Sequence, residues 1–283
     1  MVTEPNAKTW QNAVRSALAE GATLRRSFGL LRAFRFESSD PDQFYDPLAQ
    51  DWVRILLAAW RAWRPETDPS TLRALDVGGA EGRSATALAD LVERSVLVDA
   101  DPEGCREAMA AGALVVHGDG QRLPFEDGTF DLVASSNVGE HVPEPWRLAD
   151  ELLRVARPGG LVVFSYTVWL GPFGGHETGR WHWLGGRYAA RRYARKHGHA
   201  PKNLFGTSLF AVSAAAGLEW ARRLPPGATL LAALPRYHPR WAWWMVRLPG
   251  LREILVSNLL LVVGKRADGR GPGPGAARPG LHG

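Results

Sequence analysis

The chain contains one cysteine, Cys105, among its 283 residues. A single thiol cannot form an internal disulfide, so a disulfide-framed secreted domain is excluded and a packing thiol in a reducing cytosol is favoured. The chain also lacks a run of about 18 uncharged apolar residues, which argues against a transmembrane helix. Its N-terminal stretch carries scattered charge without the apolar centre of a secretory signal. These absences predict a cytoplasmic protein.

Acidic residues are missing between Thr178 and Leu218, although the net charge of the whole chain is only +5. The basic residues in that stretch are Arg180, Arg187, Arg191, Arg192, Arg195, Lys196 and Lys202. A segment of one charge sign attracts anions, so it favours phosphates, acidic lipid or nucleic acid as partners.

The order of predicted elements indicates an α/β protein. Helical spacing fills residues 1–70, broken by the turn-rich "ESSDPDQFYDP". From Leu72 onward, short apolar runs alternate with helical stretches, which predicts a parallel sheet with helices on both faces. Five strands are predicted at 73–79, 95–101, 113–119, 130–137 and 159–166, and two more at 227–237 and 254–266.

The chain is therefore expected to have five parts. They are a helical N-terminal cap (1–70), a ligand-binding core (71–168), a lid insertion (169–206), a C-terminal segment that completes the sheet and carries a Trp-rich insertion (207–265), and a Gly/Pro-rich disordered tail (266–283).

A glycine-rich turn, "LDVGGAEGRS", follows the first predicted strand. Ligands of open parallel sheets bind at the carboxyl ends of the strands, and glycines let the backbone approach them closely. The dinucleotide fingerprint G-x-G-x-x-G is not matched, because Ala80 and Arg83 occupy its second and third glycine positions. Asp76 would repel a pyrophosphate but suits a ligand with an ammonium group and hydroxyls.

With Asp76, Gly78 and Gly82 in place, "LDVGGAEG" resembles motif I of the class I S-adenosylmethionine (SAM)-dependent methyltransferases, and Ala80 replaces the family's middle glycine. The later segments "GDGQRLPFEDGTFD", "FDLVASSNVGEHV" and "ELLRVARPGGLVVFS" resemble the family's further landmarks in the right order. The whole chain is similar to an actinobacterial branch of the type 11 methyltransferases. This resemblance implies a Rossmann-like fold with a seven-stranded, mostly parallel sheet, an antiparallel last hairpin, and SAM as cofactor.

The resemblance also implies which residues hold SAM. Asp99 would accept from both ribose hydroxyls, with Asp101 as the alternative if the strand ends two residues later. Asn137 would line the methionine or acceptor end, and Phe44 or Tyr45 would either close over SAM or pack. The predicted cofactor-binding set is Asp76, Gly78, Gly79, Gly82, Asp99, Asp119, Gly120 and Asn137.

Methyl transfer from a sulfonium needs alignment above all, and a general base matters only if the nucleophile must lose a proton. Glu140 and His141 follow the fourth strand, and His176 follows the fifth, so these three are the candidate catalytic residues. The alternative is that His141 shapes the turn and that His176 caps one.

The segment "YTVWLGPFGGHETGRWHWLGGRY" is predicted to be a glycine-hinged lid that contacts the methyl acceptor. Its candidate acceptor-binding residues are Trp169, Glu177, Trp181 and His182, with packing of the tryptophans as the alternative. His176, Glu177 and His182 form H-E-x₄-H, which is not the H-E-x-x-H zinc spacing, so no metal site is predicted.

The acceptor is not identified by the sequence. The segment "YHPRWAWWMVRLPGLRE" mixes tryptophan and arginine as lipid headgroup boundaries favour, so a glycolipid or envelope glycan precursor met at an anionic inner membrane face is the leading hypothesis. Its alternative is that these tryptophans belong to the core. Nucleic acid, a small metabolite, or a catalytically silent SAM-binding protein are the other interpretations.

Overall fold

A computed structural model describes residues 6–33, 36 and 40–267. Seven strands form one sheet in the order β3-β2-β1-β4-β5-β7-β6. They are β1 (Arg73–Val77), β2 (Arg94–Asp99), β3 (Leu114–His117), β4 (Phe130–Ser136), β5 (Ala156–Thr167), β6 (Ala228–Pro235) and β7 (Asn258–Lys265). The first five strands are parallel, and β7 runs antiparallel to both β5 and β6. The predicted mostly parallel sheet with an antiparallel last hairpin is confirmed.

Alternate residues of the strands face two separate cores. Leu75, Val133 and Val162 belong to one buried cluster, whereas Ala74 and Leu132, their chain neighbours, belong to the other. This alternation is what a pleated strand buried on both faces produces. The predicted placement of helices on both faces is therefore confirmed.

The N-terminal helices form most of the layer on one face. They are α1 (Ala7–Gly21), α2 (Leu24–Ala33) and α3 (Pro41–Trp63). Trp10, Trp52, Trp60 and Trp63 are at most 4% exposed and pack in the same cluster as the sheet residues. Within the described residues, the apolar faces of α1 and α3 pack on the sheet, and the start of α3 approaches the glycine turn. That these helices also cap the cofactor stays a prediction.

The predicted break over residues 37–47 extends too far, because α3 already begins at Pro41. The Asp40 side chain accepts from the backbone N–H of Gln43, and Pro41 stands in the first turn, where the helix needs no N–H. The same Asp-Pro pair that resembles a turn therefore starts a helix, and Pro47 lies inside it.

The remaining helices are α4 (Arg83–Ala89), α5 (Pro102–Ala110), α6 (Pro145–Val155), α7 (Gly186–His197), α8 (Ala214–Arg222) and α9 (Leu251–Ile254). The last strand is shorter than the predicted 254–266, because α9 and a bend precede Asn258. Within the described residues, no helix combines the length and apolarity needed to cross a bilayer. The predicted tail (266–283) lies outside the described residues beyond position 267.

Candidate active site

The turn after β1 is held in a strained conformation by tight packing. Gly78, Ala80 and Gly82 have φ angles of +79°, +44° and +75°. A Cβ on Gly78 would overlap the Val138 side chain, and a Cβ on Gly82 would lie 2.7 Å from Ala108 Cβ. Both glycines are thus required by conformation and by space. Ala80, which replaces a glycine of the family motif, adopts the left-handed region that alanine disfavours.

Asp76 is a buried carboxylate beneath this turn. It is 3% exposed, and its Oδ2 has no hydrogen-bond partner among the described residues. A Cβ on Gly79 would lie 2.6 Å from this oxygen, so only glycine leaves room for it. Burial, assisted by the negative charge of Asp99, raises the pKa of Asp76 to about 7, although the positive charge of Arg236 opposes the change. An ammonium group such as that of SAM would supply the missing partner.

Asp99 ends β2 and faces the same turn. Its Oδ2 accepts from the backbone N–H of Ala80 and its Oδ1 from that of Asp101, both at 2.8 Å. Each carboxylate oxygen has further accepting capacity, and the residue is partly exposed, so both oxygens suit a vicinal diol. The alternative, Asp101, instead caps α5, where its side chain accepts from the N–H groups of Glu103 and Gly104.

Asp119 and Gly120 follow β3. Asp119 is exposed, and its hydrogen bonds within the described residues are both to Oδ1, from the N–H and the side chain of Gln121. A Cβ on Gly120 would lie 2.9 Å from Leu148 Cδ1 and 3.0 Å from Val77 Cγ1. The missing side chain of Gly120 therefore points into protein rather than into ligand space, so core packing alone already requires glycine here.

Asn137 lies at the carboxyl end of β4, with φ +57°. Its Oδ1 accepts from Asn258 Nδ2 at 2.6 Å, and its Nδ2 donates to the Tyr237 hydroxyl at 3.3 Å. The side chain is thus held in a polar network that joins β4 to the ends of β6 and β7.

Arg236, at the end of β6, belongs to the same network and was not predicted from the sequence. It is 4% exposed and donates from Nη1 to Ser136 Oγ at 2.5 Å and to Ser165 Oγ at 3.0 Å. Its guanidinium lies 4.3 Å from the centre of the Trp52 ring and 4.9 Å from that of Tyr237. Burial opposes a low pKa for Asp51, but the hydrogen bond and charge of Arg26, assisted by the charge of Arg236, lower it. In the sequence Arg236 appears only as one arginine of an arginine-rich segment.

The three candidate catalytic residues come together, although two follow β4 and one follows β5. Glu140 and His141 lie on the 3₁₀ turn Gly139–His141, and His176 begins the 3₁₀ segment His176–Leu184. The Nε2 atoms of His141 and His176 are 3.3 Å apart, and His141 Nδ1 lies 2.7 Å from the Ser208 carbonyl oxygen. Glu140 is 1% exposed.

His176 has an unusual environment. Its φ is +46°, which is rare for a residue with a side chain. Burial, opposed by the charge of Glu140 and assisted by the neighbouring His141 and His182, lowers the pKa of His176 to about 4. The imidazole of His176 is therefore neutral near pH 7.

The other lid residues divide into two groups. His182 is buried with its Nδ1 at 2.7 Å from the Gly179 carbonyl oxygen, and Trp169 packs edge-on against its ring. Glu177 and Trp181 are exposed: Glu177 accepts from Asn203 Nδ2 at 2.8 Å, and Trp181 lies beneath the Arg192 guanidinium. The structure thus brings Trp169 and His182 to the inner side of the lid and directs Glu177 and Trp181 to its surface.

The start of α3 is tied to the glycine turn by charge. Arg83, the first residue of α4, forms ion pairs with Asp42, Asp46 and Glu81 at 2.6 to 2.9 Å. Phe44 is buried, whereas Tyr45 is 39% exposed and lies 5.9 Å from the Arg83 guanidinium. Phe44 therefore packs into the protein, and Tyr45 is the ring that remains accessible near the turn.

The strand order, the glycine turn after β1 and the acidic end of β2 define a class I methyltransferase fold. Residues 75–164 match the family described as "Methyltransferase domain", type 11. A solved structure from Galdieria sulphuraria, titled a putative sarcosine dimethylglycine methyltransferase, shares this fold with a TM-score of 0.51 at 16% identity, over 78% of this chain and 87% of that one.

Proteins that match over nearly their whole length are much more similar. A Mycolicibacterium gilvum protein named "Uncharacterized methyltransferase" is 55% identical over 89% of this chain and 98% of its own length. One of the same name from Mycobacterium tuberculosis is 53% identical over 89% of this chain and 99% of its own. The chain belongs to this methyltransferase family, and it is a SAM-dependent methyltransferase.

Proposed function

We propose that this methyltransferase moves the SAM methyl group to a hydroxyl of a lipid-linked acceptor, such as a glycolipid or an envelope glycan precursor, at an anionic membrane surface. SAM supplies a methyl group already activated by the sulfonium charge. The methyl–sulfur bond breaks as the methyl–oxygen bond forms, and the products are S-adenosylhomocysteine, a methyl ether and the proton of the hydroxyl. The protein must hold both reactants in line.

For the cofactor, the proposal assigns Asp76 to the ammonium group and Asp99 to the ribose diol. Among the described residues, buried Asp76 has an oxygen without a partner, and the two oxygens of Asp99 accept only from backbone N–H groups. Asp119 Oδ2 is assigned to the adenine amino group. Gly78, Gly79 and Gly82 are assigned to the close approach of the turn.

The acceptor is assigned to the space between the 3₁₀ turn after β4 and the lid. Val138, two residues before Glu140, lies against Gly78 of the cofactor turn, so the 3₁₀ turn that carries Glu140 adjoins the cofactor turn. Trp169 and His182 line the inner side of the lid. His141 and His176 are partly exposed and are the side chains assigned to the acceptor's reacting group.

The observation that carries the membrane part is an exposed apolar patch, here called the Trp241 patch. Trp241 is 67% exposed and Trp244 46% exposed, whereas Trp243 turns inward and packs against the core. The full patch consists of Trp241, Trp244, Leu248, Leu251, Ile254 and Leu255. Exposed Arg240 and Arg247 flank it, which is the composition of a headgroup boundary.

The patch adjoins the lid. The 3₁₀ helix Arg240–Arg247 packs against α9. Val256 follows α9 after a short turn and lies against Gly171, at the start of the lid. A lipid-linked molecule held at the Trp241 patch would therefore present its polar group beside the lid.

Co-sedimentation with vesicles tests this proposal. The protein is expected to sediment with vesicles containing anionic phospholipid at low salt, and the double variant Trp241→Ser/Trp244→Ser is expected to stay in solution. Met109→Ser, which removes a 52% exposed apolar side chain from α5, is the matched control. Failure of the native protein to bind at low salt would remove the membrane part of the proposal. Mass spectrometry of lipids and envelope glycans from cells with and without the gene would then identify the acceptor as the molecule that is one methylene lighter when the gene is absent.

A nucleic-acid acceptor is the second candidate, because α7 presents a basic face. Arg187, Arg191 and Arg195 are exposed along it, and Tyr188 is exposed beside them. Filter binding with single-stranded RNA would favour this candidate if affinity fell steeply with salt and with Arg191→Ser.

A further inference from the structure

The cluster of Glu140, His141 and His176 has the composition and spacing of a metal site. One carboxylate oxygen and one ring nitrogen from each histidine lie within 4.8 Å of one another. The H-E-x₄-H spacing in the lid did not indicate this group, because Glu177 points to the surface and the real partners of His176 come from the turn after β4.

The separation of the two imidazoles fits a shared ion. Their Nε2 atoms are 3.3 Å apart, and two nitrogen ligands about 2.05 Å from one zinc ion would then subtend about 107° at the metal, near the tetrahedral angle. The same separation also permits a hydrogen bond between the rings, so the distance alone does not distinguish a bound ion from a hydrogen bond.

The outer nitrogen of His141 shows that its inner nitrogen is available as a ligand. Its Nδ1 lies 2.7 Å from the Ser208 carbonyl oxygen, which can only accept, so the single proton of the neutral ring is on Nδ1. Its Nε2 then presents a lone pair to the cluster. A backbone carbonyl that fixes the tautomer in this way is the usual outer partner of a metal-binding histidine.

Glu140 supplies the second observation. It is 1% exposed, and neither carboxylate oxygen has a hydrogen-bond partner among the described residues. A buried carboxylate without a partner is costly, and a hydrogen bond between the two imidazoles does nothing for it. A cation at the centre of the cluster would satisfy the carboxylate and both nitrogens together.

We propose that Glu140, His141 and His176 bind one divalent transition-metal ion, with zinc or iron(II) as the class that two imidazoles and one carboxylate favour over magnesium or calcium. The positive φ of His176 is then the strained backbone that turns its ring toward the ion. Three protein ligands leave at least one position open, and both imidazoles are partly exposed. On the proposed function, an acceptor oxygen takes that position; metal binding itself does not depend on that function.

Calorimetric titration of the chelator-treated full-length protein with Zn²⁺ tests the site, with Co²⁺ as the spectroscopic probe of coordination. The native protein is expected to bind one equivalent with micromolar affinity or better, and bound Co²⁺ should give visible bands of a four- or five-coordinate site. Glu140→Gln and His176→Ala are each expected to weaken binding by about 10- to 100-fold or more.

Two controls separate this site from surface binding. Glu177→Gln changes the residue next to His176 without touching the cluster, and His197→Ala/His199→Ala removes two exposed imidazoles whose rings lie near each other. Both are expected to leave the stoichiometry and affinity unchanged. If the native protein binds no metal, or if only the His197→Ala/His199→Ala variant loses it, the proposal is overturned.

SAM affinity, measured on every variant, distinguishes failure of this site from failure of the cofactor site. A variant that keeps native SAM affinity is folded, so loss of metal from either Glu140→Gln or His176→Ala in that state supports the assignment. Retention of tight metal binding by both folded variants contradicts it, whatever the protein's methyl acceptor is.

Discussion

The two halves of the sheet's ligand-binding edge are built differently. In the cofactor half, the strand ends and turns of β1, β2 and β3 come from one continuous stretch, 73–120. In the acceptor half, the polar side chains come from separate segments of the chain. They include Asn137, Glu140, His141, Ser165, His176, Arg236, Tyr237 and Asn258, and the backbone carbonyl of Ser208 joins them.

This difference has an energetic consequence. Exposed or partly exposed acids in the cofactor half are satisfied mostly by nearby backbone N–H groups, as Asp99 and Asp101 show. In the acceptor half, buried side chains depend on partners far along the chain, such as Arg236 on Ser136 and Ser165. Substitution in the acceptor half should therefore affect stability more, and substitution in the cofactor half should affect ligand affinity more.

The largest effect is expected for Arg236→Met. The change removes a buried cation that lies near Asp51 and Asp76 and leaves two serine hydroxyls without their donor. Removing one partner of a buried charge network costs about 3–5 kcal/mol of unfolding free energy, which urea unfolding of the SAM-free protein measures. Arg240→Met, at an exposed position, should stay within about 0.5 kcal/mol. Equal effects of the two substitutions would mean that the buried network of the acceptor half adds no stability, which would remove that half's side of the contrast.

Asp99→Ala should instead weaken SAM binding. Loss of hydrogen bonds from two hydroxyls to a charged group is expected to lower affinity about 100-fold or more, measured by calorimetry. Asp101→Asn keeps a good helix cap and should change SAM affinity little. If Asp101→Asn were the more damaging change, the ribose assignment would move to Asp101.

Asp76→Asn should reveal a stability that depends on pH. Asp76 has an ordinary pKa of 3.8 that the fold raises to about 7, so between these values the folded protein holds more protons than the unfolded chain. Its contribution to stability is therefore largest at acidic pH and falls as pH rises to about 7, by at most about 1.4 kcal/mol per unit. The SAM-free Asp76→Asn variant has no carboxylate at this position, so its stability should not show this decrease with rising pH.

The measurement for Asp76→Asn is urea unfolding of both SAM-free proteins between pH 5 and 8. The stability of the variant relative to the native protein should increase across that range, while its SAM affinity is lower than that of the native protein. A constant difference between the two would mean that Asp76 does not titrate there. A binding site is expected to contain a carboxylate that lowers stability until its ligand binds. A structural ion pair is not expected to behave in this way.

The same contrast explains what the sequence could predict. The strand alternation, the glycine turn and the acidic strand ends are local patterns, and the parallel sheet and the positions of Asp76 and Asp99 at its strand ends follow from them. The seven-stranded sheet with an antiparallel last hairpin was implied by the family resemblance that these patterns carry. Arg236 and Ser208 have no local signature, because their roles arise from contacts with residues about 70 to 100 positions away. The start of α3 was missed for another reason, since Asp40 and Pro41 suit a turn and a helix start equally well.

The smallest effect should come from the exposed tryptophans of the acceptor half. Trp241→Ser removes a side chain that is 67% exposed, so it should change unfolding free energy by no more than about 0.5 kcal/mol. Trp243 is the matched comparison, because its ring packs against the inner cluster, approaches Arg15 and donates from Nε1 to the His238 carbonyl oxygen. Trp243→Ser should therefore destabilise by more than about 1 kcal/mol in the same urea experiment. If Trp241→Ser proved equally destabilising, its ring would belong to the core and the Trp241 patch would lose its anchor.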